Sequence, residues 1–346
     1  MTTPVVEISN LTKRYGEFTA LDHLSLTLER GSILGFIGPN GAGKTTTIKI
    51  LVGLSKATSG SATIAGEDCL ANPKRVRELV GYMPDKFGSY DNMRVREYLD
   101  FFGAAYGIRR KDRTRRVAEV LDITNAAWMK DRYVESLSHG MQQRIGLART
   151  LLHQPEVLIL DEPANGLDPQ ARIEMRDVLL RLADEGRTLI VTSHILPELS
   201  RICNQVAIIA GGKLRACGTL TDVTQQLSQE RTVEVLLLNS EACSAAATVC
   251  KNALPEAEVT ISETEQIVRL RTKADEKQLC NLMGKLVSAS VPVSQLREVA
   301  GDLEEAFLSA TQLAAADAKT GSPTKDSSPK TSSDDSLSTD VARTQS

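Results

Sequence analysis

Residues 38–46 combine glycines, a lysine and two threonines in an order that suits phosphate binding. The run reads Gly38, Pro39, Asn40, Gly41, Ala42, Gly43, Lys44, Thr45 and Thr46. Glycines let backbone N–H groups come close to phosphate oxygens, Lys44 can reach the terminal phosphates, and the Thr45 hydroxyl can ligate Mg²⁺. We therefore predict that this segment, the phosphate loop, binds a nucleoside triphosphate.

The segments on either side of the phosphate loop support this prediction. Residues 33–37 form a short apolar run typical of a buried parallel strand, and an apolar-rich helix follows the loop and ends near Gly53. A loop that opens a helix gains about half a positive charge from the helix dipole. The alternative, a glycine turn with an exposed lysine, does not explain a strand and a helix on its two sides.

A second apolar segment, residues 156–161, ends in a carboxylate and is followed at once by another. In open α/β sheets, ligands bind at the carboxyl ends of the strands. Asp161 is therefore suited to hold Mg²⁺, directly or through water, and Glu162 to polarise an attacking water. The alternative for this acidic pair is an ordinary helix N-terminus, which the phosphate loop upstream disfavours. His194 follows a third apolar strand, residues 188–193, and we predict that it contacts the γ-phosphate or the water.

Composition limits the classes to which the protein can belong. A length of 346 residues suggests two domains, and 25% charged with 41% hydrophobic residues is ordinary for a soluble globular chain. A net charge of −3 gives no basic surface that would argue for nucleic acid binding. The six cysteines show no CxxC pair and no zinc spacing, and most stand among apolar residues, so we expect them to be reduced and structural in a cytosolic compartment. No signal peptide opens the sequence and no apolar run reaches about 18 residues, so we expect any membrane role to depend on a partner.

Strand and helix patterns divide the first part of the chain. Residues 5–30 alternate as strands do, another short strand is indicated at residues 60–66, and residues 81–85 close this α/β portion. From residue 86 to about residue 135 helical periodicity takes over, and we interpret this stretch as an inserted helical subdomain. Its basic run, residues 109–116, could bind phosphate or anionic lipid headgroups, but such a run is more often the solvated face or start of a helix.

Five ordered motifs resemble those of the ATPase subunits of ATP-binding cassette (ABC) transporters and cover about residues 4–220. They are the phosphate loop, the strand end at Asp161 and Glu162, the signature loop (Ser138, His139, Gly140 and Met141), a dimer-contact loop (residues 165–168, ending in Asp168), and the switch residue His194. Tyr15 stands where the family stacks an aromatic ring on adenine. The resemblance implies an α/β fold, a P-loop NTPase cassette over residues 1–225 with its helical subdomain at about residues 86–150.

Two positions depart from the family pattern. The signature usually reads Leu-Ser-Gly-Gly-Gln. Here His139 and Met141 replace the first glycine and the glutamine. Ser138 and Gly140 are kept and can still bind a γ-phosphate. The loop that joins the sheet to the helical subdomain usually carries glutamine, and here Asp85 stands in its place. Asp85 could ligate Mg²⁺ or its waters, or it could cap a turn. Both variants look like those of subunits that serve bacterial exporters with separately encoded membrane subunits.

The resemblance implies an ATPase that uses ATP and Mg²⁺ and works as a pair of identical chains. Each ATP would lie between the phosphate loop of one chain and the signature loop of the other. The resemblance also implies an integral-membrane permease as the second partner, a place at the cytoplasmic face of the membrane, and export rather than import. No nucleic acid partner is expected. Two alternatives are a soluble cassette ATPase of translation or DNA maintenance and a P-loop kinase. The signature loop argues against the kinase.

Beyond residue 225 the pattern changes. Residues 231–315 show the order β-α-β-β-α-β followed by a helix, which fits a small α+β accessory domain of the ferredoxin-like type. No catalytic constellation stands out there, and a packing or dimer-contact role is favoured over ligand sensing. A capping box at residues 302–305 predicts the start of the last helix. Residues 317–346 are rich in Ser, Thr, Asp and Lys without an aromatic residue, so we predict a disordered tail.

Overall fold

The computed structural model describes residues 4–86, 88, 92–227, 231–299 and 303–320. Strands dominate around the phosphate loop: β1 (Val6–Tyr15), β2 (Phe18–Leu28), β3 (Ile33–Ile37), α1 (Lys44–Leu51), β4 (Ser59–Ile64), β5 (Glu67–Asp68), α2 (Pro73–Leu79) and β6 (Val80–Met83). Helices and two short 3₁₀ turns follow: α3 (Val95–Ala105), α4 (Arg110–Ile123), the turns Ala127–Met129 and Val134–Ser136, and α5 (His139–Leu151).

Strands and helices then alternate to the end of the described chain. The nucleotide-binding part is completed by β7 (Val157–Asp161), α6 (Pro169–Asp184), β8 (Thr188–Thr192), α7 (Leu196–Ile202), β9 (Gln205–Ala210), β10 (Lys213–Gly218) and α8 (Leu220–Leu227). The last elements are β11 (Arg231–Leu237), α9 (Ala242–Ala253), β12 (Glu258–Ser262), β13 (Ile267–Thr272), α10 (Glu276–Ser288), β14 (Val293–Val299) and α11 (Leu303–Thr320). No helix within the described ranges has both the length and the hydrophobicity needed to cross a membrane.

Six strands form the central sheet in the order β10-β9-β3-β8-β7-β6. Strands β3 and β6 to β9 are parallel, and β10 pairs antiparallel with β9 at one edge. Every residue of β3 and of β8 is buried, as the apolar runs in the sequence predict. The carboxyl ends of β3, β7 and β8 lie side by side, where Ile37, Asp161 and Thr192 end them. The sequence predicts the nucleotide site at this edge of the sheet.

A second, antiparallel sheet has the order β2-β1-β4-β5. Its buried side chains share one hydrophobic core with α1, α2 and one face of the central sheet. The β1–β2 hairpin turns at Gly16, whose φ of +57° is left-handed, and it pairs Tyr15 with Phe18. Both aromatic side chains are exposed, Tyr15 by 50% and Phe18 by 62%, so the hairpin presents two rings at one end of this sheet.

Helices α3, α4 and α5 pack together and form the inserted helical subdomain that the sequence predicts. The basic run opens α4, which begins at Arg110. Two of its arginines are bound within the protein. Arg113 Nε donates to Asp100 Oδ1 of α3 (2.8 Å), and Arg116 donates to backbone carbonyls at the C-terminal end of α5. These contacts favour the interpretation of the run as the start of a helix.

The C-terminal sheet is antiparallel and has the order β12-β13-β11-β14. Helices α9 and α10 contact each other and share a hydrophobic core with the sheet. Val233 and Val235 of the sheet, Cys250 of α9 and Leu282 of α10 are buried in it. This order of elements and strands is that of a ferredoxin-like split unit, which confirms the predicted fold class.

Helix α11 follows the ferredoxin-like unit but packs on α7, α8 and β9. Leu303, Ala306 and Ala310, at helical spacing, are buried in the core that contains the helices of the cassette. The sequence places this helix with residues 231–315 because it follows them directly. The spacing of its apolar residues shows that one face is buried, but it does not show which surface covers that face.

The exact domain boundaries stay a prediction. Residues 317–320, which the composition assigns to the tail, continue α11. The remainder of the tail and Asp302 of the predicted capping box lie outside the described residues.

We expect the packing of α11 to stabilise the cassette. Ala310 is fully buried, so Ala310→Asp must either bury a charge or release the helix, and should lower the free energy of unfolding by about 2 kcal/mol or more. Gln312→Asp adds the same charge at an exposed position of α11 and should change stability little. Thermal unfolding followed by circular dichroism compares the two variants, and equal melting temperatures would contradict the packing of α11 on the cassette.

Candidate functional site

A cleft of about 440 Å³ opens at the carboxyl edge of the central sheet. It is lined by residues 40–46 of the phosphate loop, by His194 and by the aromatic pair of the β1–β2 hairpin. Three carboxylates also line it: Asp85, Asp161 and Glu162. The structure thus brings together, from separate segments of the chain, most of the residues that the sequence predicts for a nucleotide site.

Two glycines let the phosphate loop fit between its neighbours. A Cβ on Gly38 would lie 2.3 Å from the Ile209 carbonyl oxygen, so no side chain fits there. Gly43 has a φ of +113°, and a Cβ on it would lie 2.8 Å from the Ala20 carbonyl oxygen. Strands β2 and β9 therefore determine the course of the loop on its two sides.

Lys44 folds back over the phosphate loop. Its ammonium group donates to the carbonyl oxygens of Gly38 (2.5 Å) and Pro39 (3.1 Å). Burial lowers the pKa of Lys44, and the negative charges of Glu162 and Asp161 oppose this shift. A cation that binds neutral carbonyls in a half-buried cleft can transfer its hydrogen bonds to phosphate oxygens, which are stronger acceptors because they are charged.

Helix α1 begins inside the phosphate loop. Gly43, which has no side chain to cap the helix, is its N-cap residue, and Lys44 is its first residue. The first N–H groups of a helix have no partner within the helix, and together with the helix dipole they attract anions. Thr45 and Thr46 of this first turn line the cleft. The helix start and Lys44 therefore present positive charge to the same space.

Tyr15 and Phe18 form the aromatic side of the cleft. The ammonium group of Lys13 lies 4.7 Å from the centre of the Tyr15 ring, a cation–π contact. Sequence reasoning identifies Tyr15 but not Phe18, whose position directly after the turn at Gly16 is the signal that could have revealed it. Two exposed rings beside a phosphate-binding loop can stack on a flat base.

Thr192 connects the two carboxylates that follow β7. Its hydroxyl donates to Asp161 Oδ1 (2.6 Å) and accepts from the backbone N–H of Glu162 (3.1 Å). Glu162 has a φ of +54°, a conformation that is rare outside glycine and is found at functional sites. The chain turns sharply here, so both Asp161 and Glu162 reach the cleft. Sequence reasoning does not single out Thr192, although its place at the end of a predicted strand is a usable signal.

His194 and Glu162 form a direct pair. His194 Nδ1 lies 2.8 Å from Glu162 Oε2, and the backbone N–H of His194 donates to the same oxygen (3.3 Å). The Glu162 side chain is 19% exposed and that of His194 is 63% exposed, so the carboxylate is sheltered while the ring stays accessible. The sequence predicts both residues at the site but not their contact. A carboxylate oriented by an imidazole can accept a proton from a bound water.

Asp85 reaches the cleft from the loop after β6. Its Oδ1 accepts a hydrogen bond from Nδ2 of Asn165 (3.3 Å). Asn165 also lines the cleft, whereas the sequence motif indicates only that it belongs to the dimer-contact loop. Burial, with smaller contributions from Asp161 and Asp85, raises the pKa of Tyr82 to about 12. Asp85, Asp161 and Glu162 place negative charge in the same cleft as the phosphate loop, which suits the binding of a cation.

The signature loop and Asp168 lie outside this cleft. Ser138 is the N-cap of α5, where its hydroxyl accepts from the Met141 N–H (3.4 Å). His139 and Gly140 occupy the first turn of α5. Asp168 caps α6 in the same manner, at 2.8 Å. The chain does not bring these predicted residues to its own nucleotide site, and a second helix N-terminus suited to phosphate stands apart from the first.

Comparison with known proteins identifies the family. The family model described as "ABC transporter" matches residues 21–165. The chain is similar to the linearmycin resistance ATP-binding protein LnrL of Bacillus subtilis, with 30% identity over 308 residues, 89% of this chain and 98% of LnrL. It is also similar to the bacitracin transport ATP-binding protein BcrA of Bacillus licheniformis, with 43% identity over 211 residues, 61% of this chain and 68% of BcrA.

Other matches cover the nucleotide-binding part of the chain. The probable multidrug ABC transporter ATP-binding protein YbhF of Escherichia coli is 36% identical over 226 residues, 65% of this chain, and the chain spans 39% of the length of YbhF. A solved ATP-binding subunit of an ABC transporter has a TM-score of 0.59 and 29% identity, covering 64% of this chain and 92% of that one. Because LnrL is matched along nearly its whole length, this chain belongs to the family of ABC transporter ATP-binding proteins.

Proposed function

We propose that this protein binds ATP with Mg²⁺, hydrolyses it and thereby drives transport through a separate membrane permease. One observation carries the proposal: Lys44, Asp161 and the Glu162–His194 pair face one cleft at the start of α1. The cleft offers a cation and a helix N-terminus to the phosphates and an aromatic side to the base. It also holds an oriented carboxylate that can act on water beside the last phosphate.

The oxygen donors of the cleft fit Mg²⁺. Thr45, Asp161 and Asp85 line it together, and hydroxyl and carboxylate oxygens are the ligands that Mg²⁺ takes. Among the described residues no group of three or more His, Cys, Asp or Glu side chains could hold a metal ion by itself. That agrees with an ion held by one or two carboxylates together with substrate phosphates. Bound there, Mg²⁺ would neutralise charge on the phosphate oxygens.

Glu162 is the proposed general base. The contact with His194 orients its carboxylate, so that a water in line with the γ-phosphate would give its proton to Glu162 as it attacks. His194 would contact the γ-phosphate or the water from its exposed side. Lys44 would stabilise the negative charge of the transferred phosphoryl group, because its ammonium group is fixed at the loop before the reaction begins.

A second copy of the chain is the proposed first partner. The signature loop lies outside the cleft of its own chain, at the N-terminus of α5, where it can bind a phosphate. In a two-fold dimer the signature loop of each chain would close the cleft of the other, so each ATP would contact both chains. Asp168, at the start of α6, would lie at the same contact between chains.

A groove in the helical subdomain supports a membrane permease as the second partner. It has a volume of about 540 Å³, is lined by residues of α3 and α4, and includes Phe101, which is 46% exposed. The Tyr98 hydroxyl of α3 donates to the carbonyl oxygen of Gly88 (2.8 Å), which links this helix to the segment after Asp85. A permease helix bound in the groove would therefore respond to movement of the Asp85 segment when ATP binds or is hydrolysed.

The relatives favour export as the direction of transport. LnrL is named for linearmycin resistance and BcrA for bacitracin transport. We infer that the chain serves an exporter at the cytoplasmic face of the membrane and has no nucleic acid partner. Affinity purification of the full-length chain from a detergent extract should recover a protein with several membrane-spanning segments. Recovery of ribosomes or DNA instead would favour a soluble cassette ATPase.

Glu162→Gln should preserve ATP binding and slow hydrolysis about 100-fold or more, because the amide keeps the shape of the side chain but cannot accept the proton. Glu156→Gln, just before the other end of β7, is the matched control. Glu156 is 39% exposed and pairs with Arg30, so this variant should hydrolyse ATP at the wild-type rate. Calorimetry measures binding and phosphate release measures hydrolysis. Near-normal turnover of Glu162→Gln would exclude it as the base.

Two complementary variants test whether sites are shared between chains. Lys44→Ala removes the phosphate cation and Ser138→Arg obstructs the signature loop, so either variant alone should form an inactive homodimer. A mixed dimer would contain one site with both defects and one intact site. With free exchange about half of the dimers are mixed, so about a quarter of the wild-type sites should return.

ATPase activity after mixing measures this recovery, and two different affinity tags verify that the chains have exchanged. The matched control mixes two differently tagged preparations of Lys44→Ala, which should stay inactive. Absence of recovery in proven mixed dimers would contradict independent shared sites.

A further inference from the structure

Asn165 connects three parts of the site through hydrogen bonds. Its backbone N–H donates to the Glu162 carbonyl oxygen (3.1 Å), and its side-chain Nδ2 donates to Asp85 Oδ1 (3.3 Å). Its own carbonyl oxygen lies 2.8 Å from Nε2 of His139. The proposed base, the Asp85 carboxylate and the first turn of α5 therefore meet at one residue.

The His139 ring packs directly against Gly166. This glycine has a φ of +66°, and a Cβ on it would lie 2.9 Å from Cδ2 of the ring. Gln143, one turn further along α5 and buried, has its Nε2 at 3.5 Å from the ring Nε2. The ring is thus held between α5 and residues 162–168. The family pattern has glycine at position 139, which could make none of these contacts.

We propose that His139 and Asn165 are positioning residues that transmit the state of the signature loop to Glu162 and Asp85. The proposal rests on the dimer described above, in which the start of α5 binds the ATP of the opposite chain. Phosphate bound there would fix the position of the signature loop. Through the His139 contact it would also fix the position of the Asn165 carbonyl oxygen. Binding of ATP at one site would in this way determine the positions of Glu162 and Asp85 at the other site.

The geometry suits such transmission. A hydrogen bond weakens steeply once its angle falls below about 120°, so a small shift of α5 against residues 162–168 makes or breaks the 2.8 Å contact of His139. Coupling between sites is reciprocal in binding free energy, so the arrangement of Glu162 and Asp85 also affects how well the signature loop binds phosphate. Such coupling typically changes an affinity by about 5- to 150-fold.

Amide hydrogen exchange of residues 162–168 in the full-length chain, without nucleotide, tests the contact itself. His139→Ala removes the ring and should speed exchange of this segment about fivefold, because the segment loses one hydrogen bond to α5. His139→Gln, which keeps an N–H donor, should stay near the wild type. Equal exchange in the wild type and His139→Ala would overturn the proposal, whether or not the protein hydrolyses ATP.

The kinetic test combines His139→Ala with Gly166→Ala, whose methyl group should displace the ring. Each single variant should lower kcat about fivefold, the effect expected for the loss of one ordinary hydrogen bond, and His139→Gln should recover most of kcat. In the double variant the methyl group has no ring to displace and only the strain of alanine at a φ of +66° remains, so kcat should fall by less than the product of the two single effects. A fall equal to the product of the two single effects would overturn the coupling.

The proposed function fails by a different result. It fails if the wild type does not hydrolyse ATP, or if Glu162→Gln hydrolyses it as fast as the wild type. With hydrolysis established, multiplying effects of His139→Ala and Gly166→Ala would refute only the role of His139 and Asn165. Those two changes would then be independent defects, and His139 would act by direct contact with phosphate or not at all.

Discussion

The parallel pairing of β3, β8 and β7 is the constraint on which the whole site depends. The three strands lie side by side with their residues in register, and their apolar side chains are buried in hydrophobic cores on both faces of the sheet. Since parallel strands point the same way, their carboxyl ends share one edge, where the phosphate loop, Glu162 and His194 follow. A shift of β7 by one residue would send Asp161 to the opposite face, away from Thr192.

Close packing then links the two sides of the cleft. The turn between β9 and β10 contacts both of them: Gly212 N–H donates to the Ala42 carbonyl of the phosphate loop (3.1 Å), and Asp22 N–H donates to the Gly212 carbonyl (2.9 Å). Asp22 belongs to β2, the strand that begins with Phe18. The phosphate side and the aromatic side are therefore joined through one turn, and the distance between them is set before a nucleotide binds.

Local patterns predict that the phosphate loop, Glu162 and His194 lie together at the carboxyl ends of the strands, because each directly follows an apolar strand. The contact between Glu162 and His194 could not be predicted from the sequence, because it depends on β7 and β8 being neighbours in the sheet. The ferredoxin-like order could be predicted because its alternation of strands and helices is local. The docking of α11 on the cassette could not be predicted. The spacing of Leu303 and Ala310 shows that one face of the helix is buried, but it does not show which elements cover that face. For Asp85 the sequence left two roles open, and its contact with Asn165 follows only from the fold.

The return of α11 to the cassette changes how the ferredoxin-like unit should be regarded. The chain leaves the cassette after α8 and re-enters it at α11, so the unit is an insertion attached at both ends rather than an appendage. Closing such an excursion costs entropy that grows only slowly with its length. Evolution could therefore lengthen, exchange or delete this module between two fixed attachment points while the cassette core, with α11 in it, stayed the same.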